Sequence, residues 1–442
     1  MIVSYIYMSR CPEAAMLKVF FRPVPARIRS HVCQGVAAAL TCGLAAVMVQ
    51  SANAQRSRED PASLPEQQVG QTFSVKPQDL PPPFASPSAS NGSTNVPYRG
   101  QTLRVPEGFS AQPFATGLSN PRRLLVLPNG DVIVTDQDAG VILRLHDRGG
   151  RADAPTRVAS GFDRPYGLAW RDNELLVVDQ RAIWRVPEHG AKRMLTARNV
   201  FGAPYGHENR SLAIDPKTGA LLVGVGSMGN VGVEPAVKAT IQRFDADGKN
   251  QATYASGLRN ATGLAFNPDT GELFTTVQER DDLGDRLVPD YLTHVDQGAF
   301  YGWPYAYIGP NPQPRLGAQH PDKVKAAVVP DLLFEAHSAL LDLVFYTGDQ
   351  FPARYRGSAF VALHGSWNRA QPIGYKIVRV PFRNGRPAGT YENFATGFWV
   401  GGLRRAEVWG RPAALAVAKD GALLIADDTG GTIWRIAYTG KK

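Results

Sequence analysis

Cysteine is absent from the chain after residue 54. The three cysteines of the 442-residue sequence are Cys11, Cys33 and Cys42. If the segment before residue 55 is removed, no disulfide can stabilise the remaining chain. A thiolate metal site, a cysteine nucleophile and a cysteine-attached haem are excluded from that remaining chain for the same reason.

Long apolar runs are also scarce. Residues 36–49 are almost purely apolar but too short to span a bilayer comfortably. They follow Arg27 and Arg29 and precede the small-residue pattern Ala52-Asn53-Ala54, an order typical of a secretory signal peptide. We therefore predict that residues 1–54 are removed on export to the periplasm or the outside, which leaves no stable membrane span. The alternative is that this stretch remains as an N-terminal membrane anchor.

Clusters of charge of one sign are missing as well. The sequence has 48 Lys and Arg against 39 Asp and Glu, but the basic residues are scattered and form no run. Nucleic-acid binding is therefore not expected. Residues 55–100 are rich in Pro, Ser, Gln and Asn and poor in large apolar residues, which predicts a disordered linker. Residues 101–442 are predicted to form one globular domain.

This domain contains one sequence unit that is repeated. Its last copy has a polar lead-in at 410–412, a short apolar strand, an Asp-Gly turn, a second apolar strand that ends in acids, and a third strand at 432–436. Short apolar runs bounded by such turns predict buried strands. Counted with their polar lead-ins, the first strands of the six copies are predicted within 120–126, 164–170, 207–214, 259–266, 341–345 and 410–417.

Six strand–turn–strand–strand units predict an all-β fold, a six-bladed β-propeller. The last copy lacks a fourth strand, and an unassigned strand-like segment, 110–118, precedes the first copy. We predict that this N-terminal segment is the outer strand of the last blade and closes the ring. A β-sandwich is the alternative architecture.

In a propeller, the loops that lead into each first strand and those that join the second strand to the third open on the same face. The lead-in loops hold Arg122, Arg123, Arg164, His207, Arg210, Arg259, Asn260, His337 and Arg411. The second-to-third loops hold Asp136, Gln137, Asp179, Gln180, Glu279, Asp282, His364, Asn368, Arg369, Asp427 and Asp428. Arginines at five of the six lead-in loops favour a site for an anionic ligand.

Two features of this face suggest chemistry. His207 begins a lead-in loop and could act as a general base near pH 7, or could simply bond a loop carbonyl. Residues 279–285 pack four acids into seven positions. Oxygen ligands at this density suit Ca²⁺, although a solvated acidic loop is an equal alternative.

Several short motifs together resemble the soluble quinoprotein sugar dehydrogenases, in the sorbosone and aldose sugar dehydrogenase branch. The motifs are Gly206-His207-Glu208-Asn209-Arg210, residues 258–264, residues 279–285, Tyr301-Gly302-Trp303-Pro304, residues 364–369 and Trp409-Gly410-Arg411-Pro412. The resemblance implies a propeller that binds pyrroloquinoline quinone (PQQ) and Ca²⁺ on one face. It also implies oxidation of an aldose or a sugar aldehyde such as sorbosone, with an external quinone or cytochrome as electron acceptor.

The resemblance assigns roles residue by residue. His207 is the implied general base, and Arg259 is the residue that polarises the reacting quinone carbonyl. The implied cofactor-binding residues are Arg210, Asn260, His364, Asn368, Arg369 and Arg411. The implied metal residues are Glu279, Arg280 and Asp282, the first two through backbone carbonyls.

The chain departs from the glucose dehydrogenases of that family at three positions. Gly206 stands where an Asp precedes the catalytic His, Asn368 replaces a lysine, and Ala413 replaces an arginine. Two other functions stay open at this point. One is a Ca²⁺-dependent propeller lactonase, and the other is a non-catalytic propeller that binds a protein or glycan.

Overall fold

Six antiparallel sheets of four or five strands make up most of the computed structural model, which describes residues 64–440. The first three sheets contain Pro121–Val126, Val132–Asp136, Val141–Leu145 and Thr156–Ser160; then Gly167–Arg171, Glu174–Val178, Ile183–Pro187 and Arg193–Met194; then Leu212–Ile214, Leu221–Val225, Thr240–Phe244 and Ala252–Ser256. The predicted signal peptide lies outside the described residues.

The other three sheets carry additions to the repeated unit. The fourth contains Ala261–Phe266, Leu273–Val277, Tyr291–His294 and Leu332–Leu333. The fifth contains Leu340–Phe345, Ala359–Leu363, Lys376–Val380, Tyr391–Ala395 and Thr72–Phe73. The sixth contains Pro412–Val417, Leu423–Asp427, Thr432–Tyr438 and Phe109–Ala115.

Smaller elements connect these sheets. The short strands are Thr94–Asn95, Ala306–Tyr307, Asn311–Pro312, Phe382–Arg383, Arg386–Pro387, Trp399–Gly401 and Glu407–Val408. One α-helix, Pro321–Ala326, and the 3-10 turns Pro77–Asp79, Gly317–Gln319 and Ala353–Tyr355 complete the described elements. Nowhere between residues 64 and 440 does a helix have the length and apolar character needed to cross a membrane.

The apolar runs form strands because each is short and rich in buried residues. Every residue of Val132–Asp136 is buried, and the preceding turn at Asn129-Gly130 reverses the chain with Gly130 at a φ of 100°. The Gly130 N–H donates to the Leu127 carbonyl at 2.9 Å. A positive φ of this kind is open to glycine at little cost, which explains why Asn-Gly predicted the hairpin.

The N-terminal strand Phe109–Ala115 pairs with the C-terminal strand Thr432–Tyr438, with Gln112 opposite Arg435. This pairing supplies the outer strand that the last repeat lacks. The first strands of successive sheets contact one another in chain order, and Pro412–Val417 also contacts Pro121–Val126. The architecture is therefore all-β and β-propeller-like, with the first strands innermost.

Polar side chains fill the space between the innermost strands. Arg123 pairs with Asp342, and both are buried. The Tyr166 hydroxyl lies 3.4 Å from the Thr262 carbonyl and 3.3 Å from the Leu341 carbonyl. Arg123 was expected on the ligand-binding face, but it lies in this buried centre and its charge is balanced by Asp342.

The N-terminal segment 64–98, which we call the strap, differs from the predicted disordered linker. Gln67 is fully buried and donates through its Nε2 to the Gly374 carbonyl at 3.0 Å. Thr72–Phe73 extends the fifth sheet by pairing with Tyr391 and Glu392. Backbone pairing and buried side chains therefore order this segment despite its composition, because sheet edges supply hydrogen bonds that apolar patterns do not reveal.

Candidate functional site

Loops of the third, fourth and fifth sheets surround a small cavity of about 100 Å³. Its lining residues are His207, Arg259, Gln278, Glu279, Asp281, Asp290, His337, Ala339, Trp367 and Asn368. A pocket that encloses a whole cofactor-sized ligand is typically about 300 Å³ or more. This cavity is therefore large enough for only part of such a ligand. The half-exposed ring of Trp367 lies beside it.

His207 is held in the cavity wall by the loop that follows the second strand of the third sheet. Its Nδ1 lies 3.0 Å from the Ser227 carbonyl and 3.0 Å from the Ser227 hydroxyl. Burial, followed by the positive charge of Arg259, lowers the pKa of His207 to about 4. The imidazole is therefore neutral near pH 7, which is the protonation state that a general base requires.

Two glycines near His207, Gly206 and Gly226, have no room for a side chain. A Cβ at Gly206, where φ is 82°, would lie 2.3 Å from the Met228 Cα. A Cβ at Gly226 would lie 2.5 Å from both the His207 Cβ and the Asn260 Oδ1. An aspartate at position 206 therefore does not fit this loop, and His207 is oriented by Ser227 instead.

Arg259 is buried and fixed by acceptors on two loops. Its Nη1 donates to the Glu279 carbonyl at 2.7 Å, and its Nε donates to the Asn230 carbonyl at 3.1 Å. Its Nη2 lies 3.5 Å from the Asp281 carboxylate. The guanidinium therefore presents a positive charge in a rigid position in the same cavity as His207.

Asp281 lies at the centre of the polar wall. It accepts a hydrogen bond from the Asn368 side chain and lies 3.5 Å from Nδ1 of His337. Burial would raise the pKa of Asp281, but the bond to His337 and the charge of Arg259 outweigh burial and lower it. Asp281 is thus an anion near pH 7, and it balances Arg259.

Two amide side chains of the site have unused acceptors. The Oδ1 atoms of Asn260 and Asn368 are buried and have no hydrogen-bond partner among residues 64–440. The Asn260 Nδ2 donates to Gln278 at 3.1 Å. Buried polar atoms without partners are rare, and they identify groups that a ligand or water can satisfy.

The predicted metal residues make hydrogen bonds within the protein in this structure. The Glu279 carbonyl accepts from Arg259, the Arg280 Nε turns back to the Asp281 carbonyl, and exposed Asp282 accepts from Asn230. Within residues 64–440, no three His, Cys, Asp or Glu side chains are grouped as a metal site would require. Backbone oxygens can also bind Ca²⁺, and the Glu279 carbonyl has a second lone pair beside the one that accepts from Arg259, so the Ca²⁺ site stays a prediction.

Arg210 lies behind the cavity rather than in it. It is fully buried, and its Nη1 donates to the His207 carbonyl at 3.1 Å. Burial lowers its pKa to about 10. Arg210 therefore supports the His207 loop from inside the protein, and its position does not support direct contact with a ligand.

Arg369 turns away from the cavity towards the strap. Its Nη1 donates to the Ala336 carbonyl at 3.1 Å, and its guanidinium lies 3.6 Å from Glu335 and 3.9 Å from Asp285. It lines a different cavity, together with strap residues 73–76 and 79–81. The neighbouring Asn368 faces the candidate site, so the predicted pair is divided between two cavities.

Arg411 and His364 belong to a separate polar cluster. The Arg411 Nε and Nη2 donate to the carbonyls of His364 and Gly365 at 3.0 and 2.8 Å. The His364 Nε2 lies 2.9 Å from Asp428, which also pairs with Arg122. Burial, followed by the charge of Arg411, lowers the pKa of His364 to about 4. Beside the fifth and sixth sheets, Asp428 therefore joins His364 and Arg122, and Arg411 is held by backbone carbonyls.

Sequence reasoning missed several residues that build the site. Ser227 and Asn230 occupy the second-to-third loop of the third sheet, and the rule applied to the other loops would have found them. Asp281 was counted only as one of four clustered acids, and His337 only as part of the rim. Trp367 was noted as part of a motif, but its exposure of 49% at the cavity was not predicted.

Known proteins resemble this chain over most of its length. The family model described as TrAA12-like matches residues 103–304 and 318–439, and the Glucose / Sorbosone dehydrogenase model matches residues 242–368. A relative in Borreliella burgdorferi, described as an uncharacterized protein, is 29% identical over 358 residues, which is 76% of this chain and 91% of that protein.

A second relative has a described activity. The pyrroloquinoline quinone-dependent pyranose dehydrogenase of Coprinopsis cinerea is 26% identical over 351 residues, covering 65% of this chain. This chain spans only 46% of that relative's length.

Solved structures show the same fold. The holo PQQ domain of pyranose dehydrogenase from Coprinopsis cinerea aligns with a TM-score of 0.65 at 21% identity, over 78% of this chain and 100% of that domain. The Trichoderma reesei family AA12 protein aligns with a TM-score of 0.63 at 22% identity, over 78% of this chain and 100% of that structure. Since the first family model matches well over half of the chain, the chain belongs to the TrAA12-like family.

Proposed function

We propose that this chain is an oxidoreductase that oxidises a sugar, with PQQ as the cofactor that accepts the electrons. The observation that carries the proposal is the shared cavity of His207 and Arg259, a neutral base beside a fixed cation. Family membership supports the same reaction class, since the Coprinopsis cinerea relative is a PQQ-dependent pyranose dehydrogenase.

The residues of the cavity suit the reacting end of the cofactor. Arg259 would stand at the quinone oxygens, and Asn260 and Asn368 offer polar groups that are not fully used. PQQ supplies a quinone that accepts a hydride when it is bound. Its carboxylates need further cations, and Arg411 would have to exchange its loop carbonyls for them.

The protein's own part in the reaction is proton transfer and electrostatics. His207 would take the proton of the sugar hydroxyl at Nε2, because Nδ1 is already bonded to Ser227. Arg259 would stabilise the negative charge that develops next to it, and burial makes that stabilisation stronger than in water. Trp367 would limit access of water at the mouth of the cavity.

The substrate class and the electron acceptor extend this proposal. An aldose or a sugar aldehyde such as sorbosone is the proposed substrate, and an external quinone or cytochrome is the proposed acceptor. The carbonyls of Glu279 and Arg280 would hold Ca²⁺, which would polarise a bound quinone. Arg259 donates to the same Glu279 carbonyl in this structure.

The proposal also covers the architecture and the location of the protein. We infer six propeller blades, one from each sheet, with Phe109–Ala115 as the closing outer strand. The apolar run 36–49 and Ala52-Asn53-Ala54 support a periplasmic or secreted protein. The proposed boundaries are therefore an exported leader to residue 54, the strap segment, and a catalytic domain from 101 to 442.

A dye-linked assay tests the proposed activity. Purified protein is incubated with PQQ, with and without Ca²⁺, and then given a panel of aldoses and sugar aldehydes with a dye acceptor. We expect dye reduction that requires both PQQ and sugar. Lactone hydrolysis without dye reduction would contradict the proposal.

A further inference from the structure

Ser227 joins the two proposed reactive residues through its backbone. The Ser227 N–H donates to the Arg259 carbonyl at 2.8 Å, and the His207 N–H donates to the Ser227 carbonyl at 2.9 Å. The close approaches at Gly206 and Gly226 keep both backbones in contact with this loop. These backbone contacts fix the distance between Ser227 and His207, so a substitution of the Ser227 side chain acts directly on the His207 ring.

The hydrogen-bond pattern determines which nitrogen of His207 carries the proton. The Ser227 hydroxyl donates its single hydrogen to the Gly229 carbonyl at 2.7 Å. Its oxygen and the Ser227 carbonyl therefore face Nδ1 as acceptors, both at 3.0 Å. Two acceptors require a proton on Nδ1, so the neutral ring has its lone pair on Nε2.

The second ring nitrogen is available for chemistry. Nε2 of His207 makes no hydrogen bond to any residue from 64 to 440, and the ring lines the cavity. The Nδ1–H tautomer thus directs a basic nitrogen away from Ser227. In the opposite tautomer the Ser227 hydroxyl would have to turn from Gly229 to Nδ1, and the Ser227 carbonyl would still face an unprotonated nitrogen.

The charged groups near His207 do not stabilise its imidazolium form in place of the uncharged Ser227. Arg259 and Arg210 both disfavour the imidazolium, and Asp281 favours it without bonding to Nδ1. Burial is the largest effect and acts in the same direction as the two arginines. A carboxylate in the place of the Ser227 hydroxyl would instead stabilise the imidazolium directly.

We propose that Ser227 is a positioning residue that selects the Nδ1–H tautomer of His207 and, being uncharged, keeps the ring in its basic form in acid. The tautomer part is independent of the proposed function. The consequence for catalysis rests on that function: kcat/KM should hold its plateau well below pH 6.5, where an unperturbed histidine would already be half protonated.

Long-range ¹H–¹⁵N NMR of histidine-labelled protein tests the tautomer without PQQ or sugar. His207→Ala assigns the signal, and we expect the shifts of a protonated Nδ1 and an unprotonated Nε2. A protonated Nε2 in the wild-type protein at pH 7 would overturn the proposal, whether or not the protein oxidises sugars.

A substitution tests the role of neutrality. We expect Ser227→Asp to raise the titration midpoint of His207 by at least about one pH unit, and to move the acid limb of kcat/KM upward with it. Ser110→Asp, at an exposed position of the outer strand, is the matched control and should leave the midpoint unchanged.

Two conservative variants separate positioning from folding. Ser227→Ala should lower kcat/KM by about tenfold, the effect of one hydrogen bond, with the acid limb unmoved, and Ser227→Thr should restore most of the rate. If Ser227→Asp does not fold, these variants remain decisive. An unchanged rate in Ser227→Ala, or an unchanged His207 midpoint in folded Ser227→Asp, contradicts the proposal.

Discussion

Single residues explain why a rim of acids need not be a binding site. The Asp136 carboxylate accepts the N–H groups of Ser119 and Asn120, both at 2.9 Å. Asp179 and Asp427 hold their own lead-in loops through backbone N–H groups in the same way. These aspartates are structural, because a carboxylate at a strand end satisfies donors that would otherwise be unpaired.

The limits of sequence reasoning are also visible at single residues. His207, Arg259 and Asn368 were expected near one another, and all three line one cavity. The direction of Arg369 and Arg411 could not be predicted, because a loop arginine can bind a ligand or a nearby carbonyl equally well. Only the folded loops show that Arg411 bonds His364 and Gly365.

The proposed base leads to a test at this scale. We expect His207→Gln to lower kcat by about 10²- to 10⁴-fold, because the variant cannot accept the hydroxyl proton. Affinity for PQQ, measured by fluorescence titration, should change only a few-fold. His189→Gln, at an exposed loop position, is the control and should keep the full rate. If His207→Gln also kept the full rate, His207 would not be the general base.

At the scale of elements, the strap contributes to the candidate site. Asn91 donates through Nδ2 to the carbonyls of Arg369 and Arg404 at 2.5 and 2.6 Å. The Ser86 hydroxyl accepts the Asp285 N–H at 2.8 Å. The strap therefore holds the loops that carry Asp281 and Asn368, although it precedes the repeats in sequence.

Asn91 tests this contribution. Asn91→Ala removes the bridge between two loops and should destabilise the protein by about 1–3 kcal/mol, with a several-fold rise in KM as the loop at Asn368 loosens. Thermal unfolding and steady-state kinetics measure the two effects. Asn95→Ala, at an exposed strap position, is the control, and equal behaviour of both variants would contradict a role for the strap in the site.

Sequence patterns predicted the repeated elements better than the strap. Six first strands were predicted from apolar runs, and each overlaps the first strand of one sheet, as at Pro121–Val126 and Pro412–Val417. The strap consists of two-residue strands and loops rich in proline and serine. Its order comes from pairing with edges formed elsewhere, so no local pattern could reveal it.

At the scale of the whole molecule, one buried ion pair joins sheets that are far apart in sequence. Arg123 of the first sheet pairs with Asp342 of the fifth, and Asp342 also accepts the Leu415 N–H of the sixth at 3.0 Å. The charges are almost fully shielded from water. Removing one partner therefore leaves an uncompensated charge in the centre of the domain.

Unfolding measurements test that role. Asp342→Asn should destabilise the domain by about 3–5 kcal/mol, and the double variant Arg123→Met with Asp342→Asn should recover much of the loss. Asp153→Asn breaks an exposed pair with Arg148 and should cost less than about 1 kcal/mol. A double variant no more stable than Asp342→Asn alone would contradict the account.

The N-terminal outer strand is a long-range feature that the repeat pattern predicts. An outer strand was predicted at 110–118 because the last repeat lacked one, and Phe109–Ala115 pairs with Thr432–Tyr438. The number of strands in each repeat predicted this long-range contact, although no local sequence pattern indicates which strands pair. The filled centre at Arg123 was not predicted, because the face towards which each loop residue points depends on packing.

The most direct test of the central claim is the absorbance spectrum of the protein loaded with PQQ, followed as sugar is added without any dye. We predict binding of one PQQ per chain and conversion of its quinone spectrum to the reduced form by at least one aldose or sugar aldehyde. His207→Gln should bind PQQ but show this conversion far more slowly. Failure to bind PQQ, or bound PQQ that no sugar in the panel reduces, would contradict the proposed function.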